Sequence, residues 1–240
     1  MPESLLWLLH FFFPKECVHC GRLLDYRNRE YLCPACLPFL FLITGPVCGR
    51  CGRPLEGEVL PPAECSSCRK NPPPFRRARA AFLLRGAGKS LVLGYKYSRN
   101  PYLSAAAAER LHAVFSARYR RSDYDGVLAV PLHPRKARER GFNQSALLAA
   151  GLSRRTGIRL ERKGLIRERY TGTQTRLSRK EREKNVRGAF RVVDPARFRD
   201  RSLLLIDDVH TTGATVSACA EVLMKAGAER VDVLTLARAV

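Results

Sequence analysis

Long apolar runs are missing from this chain. The most apolar stretch, residues 4–13 (SLLWLLHFFF), stops at Pro14 after ten residues, half of the ~20 that cross a bilayer. No basic segment precedes it and no small-residue cleavage site follows, so a secretory signal is not expected. A short helix packing Leu, Trp and Phe onto the neighbouring module is the first reading and shallow contact with a membrane surface the second. A cytoplasmic location is expected. A nucleotide-binding P-loop is missing as well. Gly88-Lys89-Ser90 echoes its end, but Leu83 stands where the motif needs its first glycine, which excludes that class of ATPase. Aromatic residues make up only 8% of the chain. Tyr95, Tyr97, Tyr102 and Phe142 are scattered and build no stacking platform of the kind a dedicated single-strand binder uses.

Acidic residues are scarce. The 240 residues hold 22 Asp and Glu against 43 Lys and Arg, a formal net charge of +21. Such an excess suits anionic partners, whether nucleic acid, phosphorylated substrates or a membrane surface. It is uneven: residues 130–191 carry 18 Lys/Arg and 5 Asp/Glu, more than half of the surplus. The length allows one or two domains and ample chain for a sizeable core.

Cysteine, by contrast, is concentrated. Eight of nine fall in four CxxC pairs, Cys17/Cys20, Cys33/Cys36, Cys48/Cys51 and Cys65/Cys68, with gaps of 12, 11 and 13 residues between pairs. A CxxC turn aims two thiolates at one tetrahedral ion, and two turns complete a Cys₄ zinc site. Two structural zinc ions are therefore expected, which would supply folding free energy that a small apolar core cannot. Consecutive pairing of first with second and third with fourth is simplest, with interleaving the alternative. Cys219 stands apart and reads as a small buried apolar residue. The segment 71–75 (NPPPF) sustains neither helix nor central strand. It divides the chain into an N-terminal helix with a double ribbon, residues 1–74, and a larger domain, residues 75–240.

In that larger domain, apolar and amphipathic patterns alternate. Strands are expected near 79–84, 126–131, 158–162, 203–207 and 230–238, and helices near 88–95, 103–119, 144–156 and 216–226. Alternation of this kind implies an α/β fold with a mostly parallel sheet and helices on both faces. Residues 203–215, LLLIDDVHTTGAT, carry the chemistry. Four apolar residues lead into adjacent carboxylates, Asp207 and Asp208, and then into Thr211, Thr212, Gly213, Ala214 and Thr215. Backbone N–H groups at a helix start bind phosphate, and paired carboxylates accept from a diol or lie near a hard cation. The plain alternative is a strand–turn–helix with a Thr-rich cap.

This stretch resembles the phosphoribosyl-pyrophosphate (PRPP) signature of type I phosphoribosyltransferases. The resemblance implies that Asp207 and Asp208 hold the ribose hydroxyls, in the catalytic position, and that Thr211, Thr212, Gly213, Ala214 and Thr215 wrap the 5′-phosphate. Two more segments extend it: 130–145 (VPLHPRKARERGFNQS) and 171–190 (TGTQTRLSRKEREKNVRGAF). Together with Tyr95-Lys96-Tyr97 and the cysteine pairs they resemble the ComF/GntX family, phosphoribosyltransferase-like proteins with an N-terminal double zinc ribbon that are linked to competence and DNA uptake or use. By that resemblance Pro131, Arg135, Lys136, Arg138 and Arg140 belong to a pyrophosphate loop. Gln174, Arg182 and Asn185 belong to a flexible loop closing over the site. Mg²⁺ would accompany PRPP, and single-stranded DNA and DNA-uptake proteins are the further partners. His210, between the acid pair and the Thr turn, departs from the usual form, and His133 receives no catalytic role. Both a phosphoribosyltransferase of unknown acceptor and a non-catalytic PRPP- and DNA-binding scaffold fit these residues.

Overall fold

Leu203, Leu204, Leu205 and Ile206 have no exposed surface, because the strand they form is covered on both sides. Leu204 and Ile206 face one core with Phe82, Val127 and Leu234, whereas Leu203 and Leu205 face a second with Leu128, Val231 and Val233. Burial on both faces explains why the sequence shows a continuous apolar run rather than alternation. The computed structural model describes residues 14–25, 27–57, 63–97, 101–171 and 179–240. The apolar segment 4–13 lies outside them. Among the described residues no helix is long and apolar enough to cross a membrane.

Five parallel strands form the sheet: β1 (Ala78–Leu83), β2 (Gly126–Ala129), β3 (Leu160–Glu161), β6 (Ser202–His210) and β7 (Arg230–Arg238), in the order β1-β7-β6-β2-β3. Helices α2 (Gly86–Tyr97), α3 (Pro101–Arg118) and α5 (Gln144–Thr156) bring Leu91, Leu111 and Leu148 to the first core. Helix α7 (Ala214–Lys225) brings Val216, Cys219 and Leu223 to the second. Cys219 is fully buried there.

This topology sets the site. From β2 the chain crosses by α4 (Pro134–Arg140) and α5 to β3 on one side, and from β6 it crosses by α7 to β7 on the other. The two connections diverge, opening a crevice at the carboxyl ends of β2 and β6, where open α/β sheets take ligands.

The expected strands and helices are present, but β2 ends at Ala129 rather than at residue 131, one strand runs longer, and two segments read as loops hold further elements. The strand expected to end at Asp207 continues through Asp208 and Val209 to His210, since the pairing with β7 runs on to His210 opposite Arg238. Much of the segment read as a basic loop is helix α4, started by Pro134 behind His133, whose Nδ1 accepts from the Arg135 amide at 3.2 Å. His133 is thus a cap, as Pro at the first helical turn favours. The long polar segment is the excursion of a hairpin: β4 (Leu165–Arg167) pairs antiparallel with β5 (Phe190–Val192), and helix α6 (Arg179–Val186) lies between.

The cysteine-rich part repeats one knuckle. The Gly21 amide donates to the Cys17 carbonyl at 2.8 Å, and the Gly52 amide to the Cys48 carbonyl at 3.0 Å. Cys65 caps the short helix α1 (Ser66–Lys70). This part also covers the free edge of β1. Ala78 donates to the Arg50 carbonyl at 2.6 Å and Leu83 to the Phe41 carbonyl at 2.8 Å, while Ile43 donates back to Ala81 at 3.2 Å. An uncovered edge strand would invite pairing with other chains.

Candidate functional site: an acid pair and glycine turn beside a Cys₄ site

The acid pair is built by three elements. β6 carries Asp207 and Asp208 to the crevice, both with 9% of their surface exposed. Asp207 Oδ1 accepts from the Ser145 hydroxyl at 2.8 Å and from the Asp208 amide at 2.9 Å. Ser145 reaches it because RGFNQS is a helix stop and restart. Gly141 ends α4, and Asn143 caps α5, accepting from the Ser145 amide at 3.0 Å while its Nδ2 donates to the Val130 carbonyl at 3.0 Å. Lys96, at the end of α2, pairs with Asp208 Oδ2 at 3.0 Å. The preceding Tyr95 hydroxyl donates to the Gln144 carbonyl at 2.7 Å, tying α2 to α5. Burial, then the neighbouring Asp208 carboxylate, pushes the Asp207 carboxyl up to about 7.

Beyond the pair the strand ends in the Thr211–Gly213 turn. Gly213 is in the left-handed region at φ +85° and starts α7. A Cβ on it would lie 2.6 Å from His210 Nε2, so the turn needs glycine both for its backbone and for its room. His210 is buried edge-on to Phe75, with ring centroids 5.9 Å apart. Burial, with Arg238 and Arg53 nearby, holds its imidazole down at about 3, so it stays neutral. It packs between Phe75 and the Gly213 turn.

Asp207, Asp208 and Thr211–Thr215 all line one open cleft of about 1530 Å³. Lys96, Lys136, Arg140, Arg167 and Arg182 line it too. Lys136 is held below the usual lysine range by burial and by the cations Arg140, Arg167 and Lys96 around it. Gln144 Nε2, Arg167 Nε and Arg238 Nε, all on lining residues, are buried donors with no hydrogen-bond partner among the described residues. Orphan donors and crowded cations in one cleft call for an acceptor-rich anion. Arg135 instead pairs with Glu139 at 3.2 Å on the exposed side of α4. Neither Pro131 nor Arg138 lines the cleft. Asn185, half-buried on α6, receives the Arg169 guanidinium on its carbonyl at 3.0 Å. Gln174 lies outside the described residues.

Sequence reasoning passed over Ser145, Gln144, Arg167 and Arg238, and left Lys96 without a role. Ser145 and Gln144 sit inside the RGFNQS motif and could have been read from it. Arg167 and Arg238 carry no local signal, because only the tertiary placement of the β4–β5 hairpin and of the end of β7 brings them to the cleft.

The second wall belongs to the cysteine-rich part, through Cys51, Cys65, Cys68 and the linker 71–75. The thiols gather as Cys17, Cys20, Cys33 and Cys36, and as Cys48, Cys51, Cys65 and Cys68, each set with all sulfurs within 4.8 Å of one another. Pairing is therefore consecutive, not interleaved. Tetrahedral thiolates at Zn–S of about 2.3 Å sit about 3.8 Å apart, and the Cys20–Cys33 and Cys51–Cys65 sulfurs are each 3.7 Å apart. In Cys17 and Cys48 burial is outweighed by backbone N–H donors, which bring the thiols down to about 6 and about 7, whereas burial and the neighbouring cysteines push the Cys36, Cys51 and Cys68 thiols up. Both sets fit a closed structural zinc site.

A family model described as "Double zinc ribbon domain" matches residues 8–69. The DNA utilization protein YhgH of Escherichia coli O6:H1 is 35% identical over 80% of this chain and 84% of its own length. The chain belongs to the ComF/GntX family. Competence protein F of Haemophilus influenzae is 30% identical to this ComF/GntX chain, over 95% of it and 99% of the relative. Among solved structures, a glutamine PRPP amidotransferase from B. subtilis is 24% identical over 60% of this chain and 30% of that one, with a TM-score of 0.40.

Proposed function

We propose that this protein binds PRPP in the cleft and works as a phosphoribosyltransferase-type protein connected with competence, DNA uptake or nucleic-acid use. The observation that carries the reading is the acid pair at the end of β6, followed at once by a glycine turn at a helix start, in a cleft lined by cations and orphan donors. In this reading residues 1–74 form a zinc-stabilised ribbon module and residues 75–240 the transferase-type domain.

Each group then has a task. Amides and hydroxyls of Thr211, Thr212 and Thr215 hold the 5′-phosphate, with Gly213 and Ala214 allowing close approach. Asp207 and Asp208 accept from the ribose hydroxyls and fix the anomeric carbon toward the acceptor. Lys136 and Arg140 of the 131–140 segment meet the pyrophosphate and stabilise its charge as it leaves. Arg182, with Asn185 and Gln174 on the same excursion, closes over it and excludes water. The two carboxylates are the hard donors that Mg²⁺ takes, and when bound it would neutralise charge on the pyrophosphate.

Calorimetry should detect Mg²⁺-dependent PRPP binding to the wild type. The double variant Asp207→Ala/Asp208→Ala should lose it by about a hundredfold or more while its circular dichroism is kept; unchanged affinity rules the reading out. The net charge of +21 favours a second reading, a non-catalytic PRPP- and DNA-binding scaffold of the uptake machinery. Incubation of PRPP with candidate bases or single-stranded DNA separates the two. Pyrophosphate release that needs both an acceptor and the aspartates marks a transferase. DNA binding without turnover, falling with salt at a log–log slope of about −0.7 per phosphate contacted, marks the scaffold.

A further inference from the structure

Arg238, the last residue of β7, is 3% exposed and reaches two parts of the molecule at once. Its Nη1 donates to the His210 carbonyl at 2.8 Å and to the Thr211 carbonyl, and its Nη2 to the Cys51 sulfur at 3.8 Å. None of these partners is a carboxylate, and a buried guanidinium needs a counter-charge. Four thiolates around one Zn²⁺ would carry excess negative charge, and the second Cys₄ set would provide it at this point.

The two carbonyls begin the phosphate turn. In a planar trans peptide the C=O and the following N–H point in opposite directions. The His210 carbonyl, which also accepts from the Ala239 amide at 3.0 Å, faces β7. The Thr211 amide therefore faces away from β7, on the side of the crevice between β2 and β6. By the same geometry, a Thr211 carbonyl drawn to Arg238 turns the Thr212 amide outward.

We propose that Arg238 is a positioning residue coupling the second Cys₄ site to the phosphate turn: anchored on Cys51, it holds the amides of Thr211 and Thr212 toward the phosphate of a phosphoribosyl ligand. This rests on the phosphoribosyl reading of the cleft. Lysine keeps the charge but lacks the planar fork that spans carbonyls and sulfur together.

Calorimetry on the zinc-loaded full chain, with ribose 5-phosphate and inorganic pyrophosphate as separate probes, tests it in wild type, Arg238→Lys and Arg238→Met. The variants are expected to keep their zinc content and bind ribose 5-phosphate roughly tenfold more weakly, with pyrophosphate affinity within about twofold of wild type. Equal losses for both probes, or no loss, overturn the proposal. A wild type that ignores ribose 5-phosphate refutes the phosphoribosyl reading instead. Should neither variant fold, the wild type alone decides. Coupling is reciprocal, so saturating ribose 5-phosphate should slow chelator-driven zinc release from one of the two sites and leave the other unchanged. Release at the same rate from both, with and without ligand, overturns the coupling.

Discussion

Asp207 and His210 sit on the same strand, and burial drives their ionisation in opposite senses. The Asp207 carboxyl rises from 3.8 to about 7. Below pH 4 both folded and unfolded states carry its proton. As pH climbs toward 7, only the folded state keeps it, so the stability contributed by this group is present at low pH and lost through neutrality. His210, lowered from 6.5 to about 3, does the reverse: its contribution is full above 6.5 and is lost as the pH falls toward 3. Asp207→Asn removes the first titration only. Its stability relative to wild type should therefore increase from pH 4.5 to 7 by roughly 2–4 kcal/mol and then level off. Urea melts of both proteins across that range measure it, and parallel curves would contradict the burial argument. Ionisation of Asp207 through neutrality also implies that a ligand accepting its charge binds more tightly at pH 8 than at pH 6. Of these residues the acids were legible in the sequence, since two carboxylates after four apolar residues have few structural uses. Lys96 was not legible, because its pairing with Asp208 depends on where the end of α2 meets the end of β6.

At the scale of elements, the glycine turns separate conformational strain from crowding. Gly213 and Gly141 have nearly the same backbone, φ +85° and +84°, yet a Cβ meets His210 at one and none of the described residues within 4 Å at the other. Gly141→Ala should cost about 1 kcal/mol, the ordinary penalty of the left-handed region. Gly213→Ala carries that penalty plus the collision, roughly 2–4 kcal/mol in all, and should weaken ribose 5-phosphate binding where Gly141→Ala leaves it intact. Thermal melts and calorimetry of the two variants compare them directly; equal costs would mean that His210 yields freely. The long helices and long strands were readable from their periodicity, whereas the seven-residue α4 was read as loop. β4, β5 and α6 were not readable, because three-residue strands show no alternation and α6 is charged along nearly its whole length, with no apolar stripe.

For the whole molecule, the ribbon doubles as the cover of a sheet edge, so its metal and the sheet are linked. Chelating zinc under reducing conditions should expose the amides of Ala78 and Leu83, whose acceptors are Arg50 and Phe41, to hydrogen exchange tens of times faster or more. Val130, which donates to Ile206 inside the sheet at 2.9 Å, should stay protected. Exchange that leaves Ala78 and Leu83 unchanged would show that the ribbon keeps its place without metal. Local order was enough for much of this protein: the CxxC spacing announced tetrahedral thiolate sites, the apolar run a buried strand, and the acid pair with its glycine turn a strand–turn–helix that brings two carboxylates to a cleft. Each of those signals lies within a few consecutive residues, where backbone geometry alone decides which side chains converge. The consecutive pairing of the cysteines, the support of Asp207 by Ser145, the pairing of Lys96 with Asp208 and the bridge from Cys51 through Arg238 to the Thr211–Gly213 turn were decided by the tertiary structure. They join residues 62, 112 and 187 positions apart at the furthest, and only strand order and helix packing bring such residues within hydrogen-bonding reach.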